Sequence, residues 1–219
     1  MKMNDLVSWM VAMIGGVLLA MPVSAGTITG SAHDFSGEGW SNGRICVACH
    51  APHKTDTAIA DAPLWNHASS TASYTLYSSP TLKATITQPG GSSKLCLSCH
   101  DGTVAVNSFG GVTGTTFIDA ENNVAPGGNL KSSHPIGFTY DAALATANGS
   151  LHDPASKSIT IGSGTQTKTG MLASVLLYGG KMECGSCHDV HNTFTTDSGD
   201  KLVKVTQSGS KICLACHNK

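Results

Sequence analysis

Apolar positions follow two different patterns along the chain. Leu6 to Met21 is an uncharged apolar run, preceded by Lys2 and followed by the small-x-small triplet Val23-Ser24-Ala25. That layout predicts a secretory signal peptide over residues 1–25, cleaved after Ala25. The run is short for a membrane span, and no basic stop-transfer cluster follows it. No second apolar stretch of spanning length occurs, and no cysteine stands at the cleavage point. The mature protein is expected to begin near Gly26, outside the cytoplasm and without a membrane span. Beyond residue 25 the apolar positions are scattered and regular structure should be sparse. A short helix is predicted over 139–147, around Ala142-Ala143-Leu144-Ala145, stopping before Gly149. Another is predicted over 171–178, broken by Gly179-Gly180. Short strands are predicted at 27–29, 158–161 and 202–206. Gly, Ser, Thr, Asn and Pro fill the intervals, as at 110–116 and 122–128.

Composition sharpens this. Of 219 residues, 12% are charged and 5% aromatic, the former about half the share in ordinary soluble domains. Lys and Arg number 13 against 14 Asp and Glu, with no basic cluster, which argues against nucleic-acid binding. A net charge of −1 argues against an acidic disordered tail. The aliphatic and aromatic side chains are too few and dispersed for a large core, and loops of this kind would be disordered without other restraint. Something besides side chains is expected to fill the interior.

The eight cysteines say what. They read Cys46-Val47-Ala48-Cys49-His50, Cys96-Leu97-Ser98-Cys99-His100, Cys184-Gly185-Ser186-Cys187-His188 and Cys213-Leu214-Ala215-Cys216-His217. Disulfides, zinc ribbons and thioredoxin-like sites also use cysteine pairs, but none requires histidine after the second cysteine. With histidine at about one position in 20, four such histidines arise by chance on the order of once in 10⁵. C-x-x-C-H is the attachment signature of c-type haem: two thiols form thioethers to the haem vinyls, and the histidine becomes the proximal iron ligand. Four covalent haems are therefore expected, with His50, His100, His188 and His217 proximal. Attachment follows export, in agreement with the signal peptide. At roughly 48 residues per haem the mature chain can surround a haem row but not add a catalytic domain.

Six histidines are left: His33, His53, His67, His134, His152 and His191. The mature chain has only Met171 and Met182 as alternative axial ligands, so bis-histidine haems are expected. A weak duplication points to the distal set. Ser93-Lys94-Leu95-Cys96 resembles Ser210-Lys211-Ile212-Cys213. Cys46 to His53 and Cys184 to His191 both read C-x-x-C-H-x-x-H, and His33 and His134 each precede such a unit. The simplest distal set is His33, His53, His134 and His191. The trailing histidine of C-x-x-C-H-x-x-H does not readily reach the far face of its own haem, but can serve a neighbouring iron. His67, in Pro63-Leu64-Trp65-Asn66-His67, is the rival ligand. His152, before Asp153-Pro154, looks like a solvent-facing turn residue. The gap from Cys99 to Cys184 divides the 26–219 tetrahaem domain into possible repeat halves, 26–115 and 116–219.

These motifs resemble the multihaem cytochromes c, and most closely the tetrahaem extracellular cytochrome filaments of metal-reducing bacteria (the OmcE type). The resemblance also covers Gly26 to Asp34, Pro63 to His67, Ser93 to Val106 and Gly180 to Asn192. It implies a mostly loop fold with short helices and few short strands, built round a continuous row of bis-histidine haems. It further implies head-to-tail polymerisation, with one distal histidine, His53 or His33, donated across the protomer junction. The implied function is extracellular electron transfer from periplasmic redox donors to acceptors such as ferric oxide. A monomeric periplasmic tetrahaem shuttle is the alternative. An enzyme is disfavoured, because all four motifs end in histidine and spare ligands are in surplus.

Overall fold

Among the described residues the longest helix carries the second cysteine pair and has no hydrophobic signature in the sequence. The computed structural model describes residues 28–53, 64–196 and 201–219. The expected signal peptide, Thr27 of the expected first strand and Pro63 lie outside the described residues, and Ile28 and Thr29 are not in a strand. Helix α1 (Gly91–His100) turns Ser93, Leu97 and Ser98 inward, the spacing of one helical face. Leu97, 1% exposed, packs with Tyr74, Ala125 and Leu130 in a small first core. Two of the inward residues are serines, which is why periodicity of apolar residues does not reveal the helix.

The expected helix over 139–147 starts later. Phe138–Thr139 form β1, and helix α2 (Ala142–Asn148) follows. Asp141 caps α2 by accepting from the Leu144 N–H at 2.8 Å, and Gly149 ends it in the left-handed region at φ 72°, a conformation glycine adopts without penalty. The strand expected at 158–161 lengthens to β2 (Ser158–Ser163), paired antiparallel with β3 (Gln166–Met171). A Cβ on Gly162, at φ +84°, would lie 2.0 Å from the Gln166 carbonyl oxygen, so the hairpin admits only glycine there. Because β3 takes Met171, the helix expected over 171–178 shortens to α3 (Leu172–Val175). Strand β4 (Lys181–Met182) pairs with β1. Residues 202–206 do not form a strand; Val203 makes a single bridge to His188. Short helices α4 (Cys184–Cys187) and α5 (Lys211–Leu214) lie at the third and fourth cysteine pairs.

A second core gathers Tyr140, Ile161, Leu172, Val175, Leu176 and Met182 with Ala145 and Ala215. Ala125 and Leu130 belong to the first core although they follow residue 115, so the two cores do not coincide with the expected halves. The change of core falls between Leu130 and Phe138. Helices α1 and α4 join the two regions. Buried Glu183 accepts from the Ser93 hydroxyl, which in turn accepts from the Cys184 N–H at 2.9 Å. Among the described residues no helix is long and apolar enough to cross a membrane.

Candidate haem centres

Every Cys-x-x-Cys-His stretch is a single helical turn. The His50, His188 and His217 N–H groups donate to the carbonyls of Cys46, Cys184 and Cys213 at 2.8, 3.1 and 2.9 Å, and the second stretch is the last turn of α1. Thiols three residues apart therefore share one face of the turn. Three of the turns are also pinned by the same two-bond ladder to a distant segment. The Cys49 carbonyl accepts from Asn66 and Ala51 donates to Leu64, at 2.8 and 3.0 Å. Cys187 accepts from Lys204 and Asp189 donates to Leu202, both at 2.8 Å. Cys216 accepts from His152 and Asn218 donates to Ser150, at 2.8 and 3.1 Å. The second motif is held differently, by the Val124 N–H donating to the His100 carbonyl at 2.9 Å. In the first, third and fourth motifs the backbone on either side of the proximal histidine is thus fixed from outside the motif.

Three imidazoles have Nδ1 held by a backbone carbonyl. His100 Nδ1 donates to the Asn122 carbonyl at 2.8 Å and His188 Nδ1 to the Lys201 carbonyl at 2.6 Å. His134 Nδ1 donates to the Pro135 carbonyl at 3.0 Å. A histidine whose Nδ1–H is held by a carbonyl presents the Nε2 lone pair, the usual arrangement around a metal. Two imidazole pairs have telling distances. His50 and His191 lie with ring centres 6.2 Å apart and planes 16° from parallel; His33 and His100 lie 6.0 Å apart at 56°. A metal–imidazole bond is about 2 Å long and the ring centre lies about 1 Å further, so imidazoles trans on one metal have centres roughly 6 Å apart. Both pairs match. His33 Nδ1 is buried without a protein partner. Burial, reinforced by His100, His188 and His191, holds its imidazole down at about 4, which keeps the ring neutral and able to ligate near pH 7.

The fourth motif has its own neighbours. Burial, then His134, Lys219 and His152, lowers the His217 imidazole, so both His134 and His152 stand near it. His152 is fixed through its backbone, its N–H donating to Cys216 and its carbonyl accepting from Tyr140 Oη at 2.7 Å. Contrary to the solvent setting expected, its side chain is half-buried. His53 is exposed and lines a groove of about 1100 Å³ with Arg44, His50, Trp65, His67 and Phe117. The Trp65 indole N–H is buried without a protein acceptor.

All eight cysteines are thiols, none in a disulfide. Burial, with Cys46 adding, pushes the Cys49 thiol up to about 11. Burial likewise pushes the Cys99 and Cys216 thiols up to about 12. The Cys96 and Cys184 thiols hydrogen-bond to each other, so the second and third motifs are immediate neighbours. Single helical turns with two thiols on one face, Nδ1-anchored histidines and trans-spaced imidazoles together fit covalent bis-histidine haem.

His67 is placed differently from the other histidines. It is 3% exposed, and both ring nitrogens face backbone carbonyls: Nδ1 that of Ala68 at 2.7 Å, Nε2 that of Ala105 at 3.0 Å. Nε2 also lies 3.5 Å from Cys99 Sγ, so the ring is wedged between two carbonyls beside the second cysteine pair, and we expect it to pack there rather than to ligate. His67→Ala is expected to leave the haem spectrum unchanged and to cost about 1–3 kcal/mol of stability through unsatisfied buried carbonyls. Visible spectra and denaturant unfolding of the same sample read both effects. No protein-family model, curated protein or solved structure matches the chain.

Proposed function

We propose that the chain is a tetrahaem c-type cytochrome that carries electrons outside the cytoplasm, polymerised into a filament that delivers them to acceptors such as ferric oxides. The observation that carries this reading is the roughly 6 Å spacing of His50 from His191 and of His33 from His100. Bound haem supplies one-electron ferric–ferrous chemistry, and the protein's part is attachment, ligation, spacing and insulation. The four cysteine pairs would hold one haem each through thioethers to its vinyl groups, and the histidine after each pair would ligate its iron. In this reading His191 is the distal ligand at Cys46/Cys49 and His33 that at Cys96/Cys99. His134 serves Cys213/Cys216. Two imidazoles per iron leave no position for a substrate, which favours electron transfer over catalysis.

Of the four histidines left, His67 is buried and His152 half-buried, whereas His53 and His188 of the third motif are exposed. The reading joins them across a protomer junction, His53 of one chain completing the His188 site of the next. The contact of His33 with His100 favours His53 over His33 for this part. The test is negative-stain microscopy of the haem-containing fraction sheared from cells, with the haem count taken by mass. Thin uniform filaments of a four-haem protomer are expected. A four-haem protein that stays monomeric when concentrated would identify a periplasmic shuttle instead.

A further inference from the structure

We propose that Asp101 and Lys204 separate two adjacent haem sites in potential, making the Cys96/Cys99 site the lower and the Cys184/Cys187 site the higher. The inference rests on the tetrahaem reading and assigns roles to two residues outside the ligand set.

The two sites begin alike. Their turns run Cys99-His100-Asp101 and Cys187-His188-Asp189, so each proximal histidine is followed by a carboxylate. Tertiary structure then treats the two carboxylates differently. Asp101 is 2% exposed and accepts from neutral donors: Ser70 Oγ, Tyr74 Oη at 2.7 Å, and the Thr103 N–H and Oγ1, both at 2.7 Å. Every one of these hydrogen bonds is donated to the carboxyl, which acts purely as an acceptor, the role of the ionised form, one residue from His100.

At the other site Asp189 is half-buried and accepts from the His191, Thr193 and Phe194 N–H groups at 3.2, 2.9 and 2.8 Å. Here a cation opposes it. The Lys204 ammonium, on a residue 7% exposed, donates to the Gly185 carbonyl inside the third motif at 2.6 Å and lies 5.2 Å from the Tyr178 ring centre. Burial lowers its ammonium, the Asp189 charge opposes that, and Lys168 adds to it. Glu183 lies between the motifs, bonded to Ser93 of α1 and capping α4, and so acts on both sites. The difference is left to Asp101 and Lys204. A nearby anion stabilises ferric iron and a nearby cation ferrous iron. At an effective dielectric of about 20, unit charges about 10 Å apart change an equilibrium roughly tenfold.

Potentiometric titration of the assembled four-haem protein tests this, on the wild type and on Asp101→Asn, Lys204→Met and Lys204→Arg. Lys204→Met is expected to lower one midpoint by roughly a tenfold change in ferric-to-ferrous ratio, about 59 mV for one electron. Asp101→Asn should raise a different midpoint by a similar factor, and Lys204→Arg should retain the wild-type value. Four attached haems with unmoved midpoints would overturn the inference and leave the tetrahaem reading standing. Equal shifts in Lys204→Arg and Lys204→Met would also overturn it, since charge is then not the cause. Fewer than four haems by mass in the wild type would remove both.

Discussion

Replacing His191 with alanine is expected to leave all four haems attached while opening the sixth position of one iron. Attachment at the first motif depends on Cys46, Cys49 and His50, which form one backbone turn held by the Asn66 and Leu64 bonds. None of these involves the His191 side chain. What His191 contributes is an imidazole 6.2 Å from that of His50 and nearly parallel to it, the placement of a trans ligand. The neighbouring backbone should hold, because Asp189 accepts from the Thr193 and Phe194 N–H groups as well as from His191. One haem in four should become high-spin, and the reduced protein should bind about one carbon monoxide per chain. Visible and EPR spectra with a carbon monoxide titration read this directly. A fully low-spin spectrum that ignores carbon monoxide would reduce the His50–His191 contact to packing and would remove the best support for the ligand set. The same substitution at His67 is expected to leave every iron six-coordinate, so the two variants form a matched pair.

Haem attachment is expected to decide whether the chain folds cooperatively at all. Ordering each residue costs about 1–2 kcal/mol of backbone entropy. Against this the described residues offer two small cores, one of four buried residues around Leu97 and one of eight around Leu172. Three of those twelve side chains are alanines: Ala125, Ala145 and Ala215. Between His100 and Phe138 the chain makes only single turns of 3-10 helix, at Ala120–Asn122 and Pro126–Gly128, and isolated bridges at Phe109 and Asn129. Burying an apolar macrocycle at each motif, with two thioethers and two axial bonds, adds the missing restraint. Produced without export, so that no haem attaches, the chain should show no sigmoidal urea transition and little amide protection. The four-haem protein should unfold in a cooperative transition. A sharp transition in the haem-free chain would show that side chains alone suffice and that the cores have been undervalued.

The cysteine motifs were legible because their chemistry is local. Two thiols and a histidine within five consecutive residues need only one turn of helix to face one macrocycle, and the structure makes that turn at each motif. Helix α2 was legible for the same reason: its alanine-rich run, its Asp141 cap and its Gly149 stop are near neighbours in the chain. Helix α1 was not, because serines at 93 and 98 satisfy buried polar partners instead of supplying an apolar stripe. The strand expected at 202–206 failed on context, since Leu202 and Lys204 spend their backbone bonds on the third motif.

Which residues the proposed reading assigns to haem is thus determined by the sequence itself, because spacing within one turn carries the information. Which histidine stands beside which is decided only in three dimensions. His33 and His100, like His50 and His191, are brought together by folding across most of the chain. His67 is the rival ligand in sequence and is distinguished in the fold by two carbonyls placed against its ring. Asp101 and Asp189 occupy identical places after their motifs. One is enclosed by neutral donors and the other is faced by Lys204, because electrostatic surroundings depend on distance through space and not on distance along the chain.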